Sequence, residues 1–118
     1  MSYSRGDVVI LNAPFITRPG SKLRPMLVIQ NDRNNSRMAN TILATITTNI
    51  SRAAEPTQVI IDISTSEGRQ SGLIGTSVVT CENVLTAAQS QITRKIGALH
   101  PTLMQQVDDA LKASLALS

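Results

Sequence analysis

The sequence predicts an α+β domain, mainly β: a small, strongly bent antiparallel sheet or partly open barrel, followed by one C-terminal helix. Three observations predict it. Short β-branched and aliphatic runs recur between residues 7 and 99, bounded by Gly, Pro, Asn, Asp and Ser clusters. After Pro101 the apolar spacing changes to that of one helical face. The length, 118 residues, allows one buried core but not two, so residues 1–118 are expected to form a single domain.

The elements follow in order. "DVVILN" (7–12) reads as a strand, and "APFITRPGSKLR" (13–24), with two prolines and a glycine, as a long loop. "PMLVIQN" (25–31) and "TILATITT" (41–48) are strands separated by the polar loop "DRNNSRMAN" (32–40). "NISRAAEP" (49–56) connects to the strand "TQVIIDI" (57–63), and a Ser/Gly-rich turn region spans 64–75. "TSVVTCENV" (76–84) and "QITRKIGAL" (91–99) complete the strands. In the terminal helix Leu103, Met104, Val107, Ala110, Leu111 and Leu115 share a face, with Asp108, Asp109 and Lys112 on the wet side. Pro101 suits the first helical turn, where its missing N–H costs nothing, and His100 beside it is assigned a capping or surface role.

Charge and composition narrow the function. Arg5, Arg18, Lys22, Arg24, Arg33 and Arg37 stand against Asp7 and Asp32, so residues 1–40 carry +4 of a net +3 and the remainder is −1. A basic first third points to an anionic partner, either nucleic acid or an acidic peptide. Tyr3 and Phe15 are the only aromatics, which argues against base-stacking platforms of the RRM or OB type. Cys81 is the sole cysteine and His100 the sole histidine, so an intrachain disulfide, a Cys/His zinc site and a two-histidine acid–base pair are all excluded within one chain. Cys81, in "SVVTC", reads as a small buried hydrophobe. There is no Gly-rich phosphate loop, HExxH or GxSxG. The lone thiol, the absence of an apolar segment long enough to span a membrane and the polar start "MSYSRGD" lead us to expect a cytoplasmic protein.

What remains is a cation and a set of hydroxyls. Pro25 drives the backbone of Arg24 towards the extended region, tethering a permanent positive charge at the mouth of a buried strand. In "TILATITT", Thr45 and Thr47 share one face with Thr41 and Leu43, and Thr48 lies on the other.

"RGDVVILN" (5–12), "RPMLVIQND" (24–32), "TILATITTNI" (41–50), "PTQVIID" (56–62) and "CENVLT" (81–86) occur in order. Together they resemble the MazF/PemK family of toxin endoribonucleases, and "DDALKASLAL" (108–117) is similar to the end of that family's helix. The likeness spans residues 5–117. It implies a small SH3-like barrel with a C-terminal α-helix that works as a homodimer and cuts single-stranded RNA, mRNA above all, at short motifs without a metal or other cofactor. It also implies a cognate antitoxin whose acidic, partly disordered segment covers the RNA groove. The family's catalytic arginine falls on Arg24 and its catalytic threonine on Thr47. Glu82 falls where some members carry an acidic residue implicated in catalysis.

The residue chemistry fits these roles. A planar guanidinium bonds two phosphate oxygens at once, so Arg24 is assigned to stabilising charge that develops as the RNA 2′-OH attacks phosphorus. Thr47 would orient the same phosphate, and Glu82 would accept the 2′-OH proton. Phe15, Thr17, Arg18, Ser21 and Lys22 of the first loop, with Asn31, Asp32 and Thr48, are the candidate RNA-binding residues. There are departures from the family pattern. Thr80 stands where one branch has a functional arginine, Leu85 and Ala88 replace the arginine and aspartate of an "RTID"-type segment, and Lys22 and Leu23 occupy a Gly-containing approach. Two other readings remain open: a non-catalytic barrel that binds a protein target in the manner of gyrase poisons, or binds RNA without cleavage, and a structural partner in a larger complex.

Overall fold

The computed structural model describes residues 2–15 and 17–118. The strands are β1 (Asp7–Pro14), β2 (Ser21–Val28), β3 (Asn40–Thr47), β4 (Gln58–Ile61), β5 (Ser77–Ala88) and β6 (Ile92–Ala98). The α-helices are α1 (Asp32–Arg37), α2 (Ser66–Arg69) and α3 (Pro101–Leu115). The six strands form one curled antiparallel half-barrel in the order β4-β5-β3-β2-β1-β6.

Alternation along the central strands sends apolar side chains to both faces of this sheet. Val8, Leu27, Ala44, Ile46, Ile61, Val79 and Cys81 pack against Val107 and Ala110 of α3. Val9, Leu11, Met26, Val28, Leu43 and Ile92 form a second cluster with Tyr3, Leu85 and Ala87. Cys81 behaves as expected of a small core residue: burial, and after it the charge of Glu82, push its thiol up to about 11. α3 starts at Pro101, and the Nδ1 of His100 accepts the N–H of Thr102 at 3.1 Å as the cap. No helix among the described residues is long and apolar enough to cross a membrane.

The expected turn region 64–75 holds the short helix α2 and β5 runs on to Ala88 rather than ending at 84, but two other segments depart further from the sequence expectation. Much of 13–24 is strand rather than loop, because β1 and β2 pair down to Pro14 and Ser21. The Phe15 N–H donates to the Gly20 carbonyl at 3.0 Å, and Gly20 turns the chain at φ +102, a conformation that only glycine adopts readily. Proline and glycine therefore mark only the tip. The polar stretch after β2 is a helix, α1, rather than a loop. The Asn31 side chain accepts from the Asn34 N–H at 2.8 Å and caps it, and its one buried residue is Asn35. A helix whose buried anchor is an amide shows no apolar period to read.

The "RGD" segment ties the barrel to α3. Arg5 donates to the Ile29 carbonyl at 2.8 Å and pairs with Asp108 at 2.7 Å, while Asp7 pairs with Lys95 at 3.1 Å. These residues serve the fold.

Candidate active site

The site begins with a mismatch in strand length. β1 pairs with β2 from Ser21 to Leu27, but β3 meets β2 only from Met26 to Val28. Residues 21–25 thus overhang β3 as a two-stranded ribbon. Pro25 is tolerated because β2 is an edge there on the β3 side. Arg24, opposite Leu11, is the fourth residue of β2 rather than the residue before it, and so is more firmly held than the sequence implied. Its Nε is closed to water and has no hydrogen-bond partner, and no ion pair among the described residues involves it. The guanidinium carbon lies 5.9 Å from the centre of the Phe15 ring, and that of Arg18 lies 4.1 Å from it.

β5 supplies the acid through an irregularity. Ala44 of β3 pairs with Val84 and the next residue, Thr45, with Thr80, so Cys81, Glu82 and Asn83 have no opposite number on β3. Such a bulge re-aims side chains. Here it brings Glu82 and Asn83 to a cleft of about 220 Å3 that is also lined by Arg24, Thr45, Thr47, Asn49, Arg52 and Gln58. Thr47 ends β3, and its hydroxyl accepts the Asn49 N–H at 3.1 Å. The Thr45 hydroxyl donates to the Asn83 carbonyl at 3.2 Å and that of Thr80 to the Thr45 carbonyl at 3.0 Å, which braces the bulge. Arg24 also lines two adjoining hollows, one of about 260 Å3 with Lys22, Thr47 and Thr48, and one of about 300 Å3 with Phe15, Glu82 and Leu85.

Glu82 is held from three sides. Gln58 Nε2 donates to its Oε2 at 2.9 Å, and Arg52 stands 3.8 Å away. Burial acts to raise its pKa, but the Gln58 bond, its own backbone N–H, the Thr57 side chain and the Arg52 charge together outweigh burial and lower it. The carboxylate is therefore ionised at neutral pH and able to accept a proton.

Arg24, Thr47 and Glu82 are thus brought together, with Phe15, Lys22 and Thr48 in the adjoining hollows and Arg18 stacked on Phe15. Thr17 and Ser21 are exposed on the β1–β2 ribbon. Asn31 and Asp32 stand apart from these residues. They follow the far end of β2, where Asn31 caps α1 and Asp32 accepts from the backbone of Arg5 and the side chain of Asn35. They line none of the three cavities around Arg24. Sequence reasoning did not place Arg52, Gln58, Asn49 or Asn83 at the site. Nothing local marks them, since the 49–56 connection and the bulge reach the cleft only through the sheet order. Thr45 was legible, because it alternates with Thr47.

The chain matches the family described as PemK-like, MazF-like toxin of type II toxin-antitoxin system over residues 4–115. It is 37% identical over 118 residues to endoribonuclease EndoA of Bacillus subtilis, covering 99% of this chain and 97% of that one. It is 36% identical over 120 residues to endoribonuclease MazF6 of Mycobacterium tuberculosis, covering 99% and 100%. Among solved structures, a mycobacterial endoribonuclease in complex with its cognate antitoxin is similar, with TM-score 0.77 and 24% identity, covering 99% of this chain and 98% of that one. A MazE–MazF complex from Deinococcus radiodurans is similar with TM-score 0.75 and 18% identity, covering 100% of both chains. The two structural likenesses concern the fold, and the sequence matches carry the family. This chain belongs to the PemK-like, MazF-like toxins of type II toxin–antitoxin systems.

Proposed function

We propose that this chain is a toxin endoribonuclease that cuts single-stranded mRNA at short motifs, halting translation, and is neutralised by a cognate antitoxin with an acidic segment. The single observation that carries the reading is the buried, unpartnered Nε of Arg24 in a cleft shared with Thr47 and Glu82. A buried donor without a partner costs about 1–3 kcal/mol. A phosphate oxygen bound there would satisfy it. Relatives named as endoribonucleases support cutting over the non-catalytic alternative.

In this mechanism the RNA 2′-OH attacks the adjacent phosphorus in line. The new O2′–P bond forms as the P–O5′ bond breaks, giving a 2′,3′-cyclic phosphate and a 5′-OH. Glu82 takes the 2′ proton, and water protonates the leaving 5′ oxygen, because a guanidinium holds its proton too tightly to be a good donor. Arg24 stabilises the charge that builds on the non-bridging oxygens, an effect worth about 3–4 kcal/mol from a preorganised donor. The Thr47 hydroxyl orients the same phosphate. Arg24 supplies the positive charge at the reacting phosphate, so the reading requires no metal. Lys22, Arg18 and Phe15 would hold the flanking nucleotides, with Thr17, Ser21 and Thr48 at the rim. The chain acts as one toxin domain in a homodimer, in the cytoplasm where mRNA is found.

The test incubates purified protein with a long single-stranded RNA in EDTA and maps the ends. Discrete cuts bearing cyclic phosphate, strongly reduced in Arg24→Ala and Thr47→Ala, are expected. Cleavage that requires added metal overturns the mechanism. Light scattering checks the dimer, and a monomer at micromolar concentration counts against it.

A further inference from the structure

The cleft holds a second buried polar atom without a partner, Gln58 Oε1. Its orientation is dictated by chemistry. The Glu82 carboxylate accepts hydrogen bonds and donates none, so the group 2.9 Å from it must be the Gln58 NH2. The carbonyl oxygen is thereby turned away from Glu82, and no donor among the described residues meets it. A free acceptor of this kind calls for an explanation, and it lies in the cleft proposed to bind RNA.

We infer that Gln58 determines specificity, its Oε1 accepting a hydrogen bond from a base amino group, adenine N6 or cytosine N4, of an RNA nucleotide seated beside the scissile phosphate. The inference rests on the nuclease reading. Three observations support it. β4, which carries Gln58, lies three strands from β2, which carries Arg24. Gln58 and Arg24 therefore reach the one cleft from different strands of the sheet, which leaves the acceptor and the phosphate clamp to separate parts of a bound nucleotide. Its neighbours Asn49, Ser51 and Asn83 are neutral hydrogen-bonding groups suited to a base edge rather than to a phosphate. At the same edge position adenine and cytosine present an amino donor, whereas guanine and uracil present a carbonyl that would oppose the Gln58 oxygen. The ribose 2′-OH has a single proton, which the proposed mechanism gives to Glu82, so it is not the donor to Gln58.

The oxygen is closed to water in the free chain, so side chains lining the cleft must shift for a base to reach it. Arg52 is the lining cation with the most room to adjust. Its side chain is 61% exposed, and its pairings with Glu55 and Glu82 are both long, at 3.8 Å. An incoming phosphate competes directly for that guanidinium.

The experiment presents a random single-stranded RNA pool in EDTA to the intact protein, to Gln58→Lys and to Gln58→Leu. Both the cut sites and the bound, uncut RNA are sequenced. Lysine keeps a donor to Glu82 while removing the acceptor, so it isolates the proposed contact; leucine removes both. We expect the wild-type protein to favour A or C over G or U by about tenfold at one position, with that preference lost in both variants and the preferences at other positions kept. An unchanged profile in Gln58→Lys overturns the inference, as does a wild-type profile with no A/C preference at any position. The bound-RNA profile reads Gln58 even if nothing is cut. Absence of cutting therefore counts against the nuclease reading, and an unchanged binding profile against this one.

Discussion

Two polar clusters sit at opposite ends of β2, and they are built on opposite terms. At the far end, Gln30, Asn35, Thr41 and Gln89 are all buried, and they bond to one another or to nearby backbone. Asn35 Oδ1 accepts from Gln30 and Thr41 at 3.0 and 2.7 Å. Gln89 donates to the Asn35 and Met38 carbonyls at 2.8 and 3.0 Å and accepts from the Tyr3 N–H. At the near end, Arg24 and Gln58 each keep a buried atom with no partner, and neither atom belongs to the far network. Satisfied buried groups rigidify and specify a fold, whereas orphaned ones are a stability loss that a bound ligand removes. Cavity size would mislead here. The hollow beside the satisfied network holds about 740 Å3 against about 220 Å3 for the cleft, yet the unpartnered polar atoms on which the proposed chemistry rests lie in the smaller one.

That contrast can be broken most directly at Arg24. Arg24→Ala is expected to slow RNA cleavage by roughly 10²–10³ while leaving the melting temperature unchanged or slightly raised, because the lost donor had no partner. A large fall in melting temperature would place Arg24 with the structural cluster. Asn35→Leu is expected to do the reverse. It strands the Thr41 hydroxyl and the Gln30 carbonyl in the interior, so urea denaturation should show a loss of about 2–3 kcal/mol, with cleavage per folded molecule retained.

The electrostatic part of the contrast is sharpened by pH. The interactions around Glu82 hold its pKa below the ordinary carboxylate value despite burial. It therefore stays ionised as pH falls through the usual carboxylate range, and the acid limb of the rate profile should lie below pH 4.5, the unperturbed value. Arg52→Ala removes one of the lowering influences and should move that limb to higher pH. A limb that does not move separates Glu82 from the proton transfer. The smallest effect belongs to a residue outside both clusters. His100→Ala removes the cap of α3 and should cost about 0.5–1 kcal/mol in denaturation, without touching cleavage or its pH profile.

Legibility followed the same division. Periodic apolar runs located every strand and the long helix, and the alternation of Thr45 with Thr47 was readable because strand side chains alternate faces. α1 was missed because its buried anchor is Asn35 rather than a hydrophobe. Asn31 and Asp32 look like base-reading residues in a list of side chains; in the fold one caps a helix and the other accepts from the Arg5 backbone. Gln58 and Arg52 carried no signal, since nothing in residues 49–58 tells which strand will lie beside β4.

By itself, the sequence determined the β-rich class, the terminal helix with its His100–Pro101 start, the burial of Cys81 and the tethering of Arg24 by Pro25. These depend on local stereochemistry and on hydrophobic period, which act over a few residues. Tertiary structure alone decided that β2 overhangs β3, that β5 bulges by three residues opposite Thr45, and that Gln58 meets Glu82 from a neighbouring strand. Strand register and sheet order arise from contacts between segments far apart in the chain, so the placement of one orphaned acceptor and one orphaned donor in the same cleft could be decided only when the sheet closed.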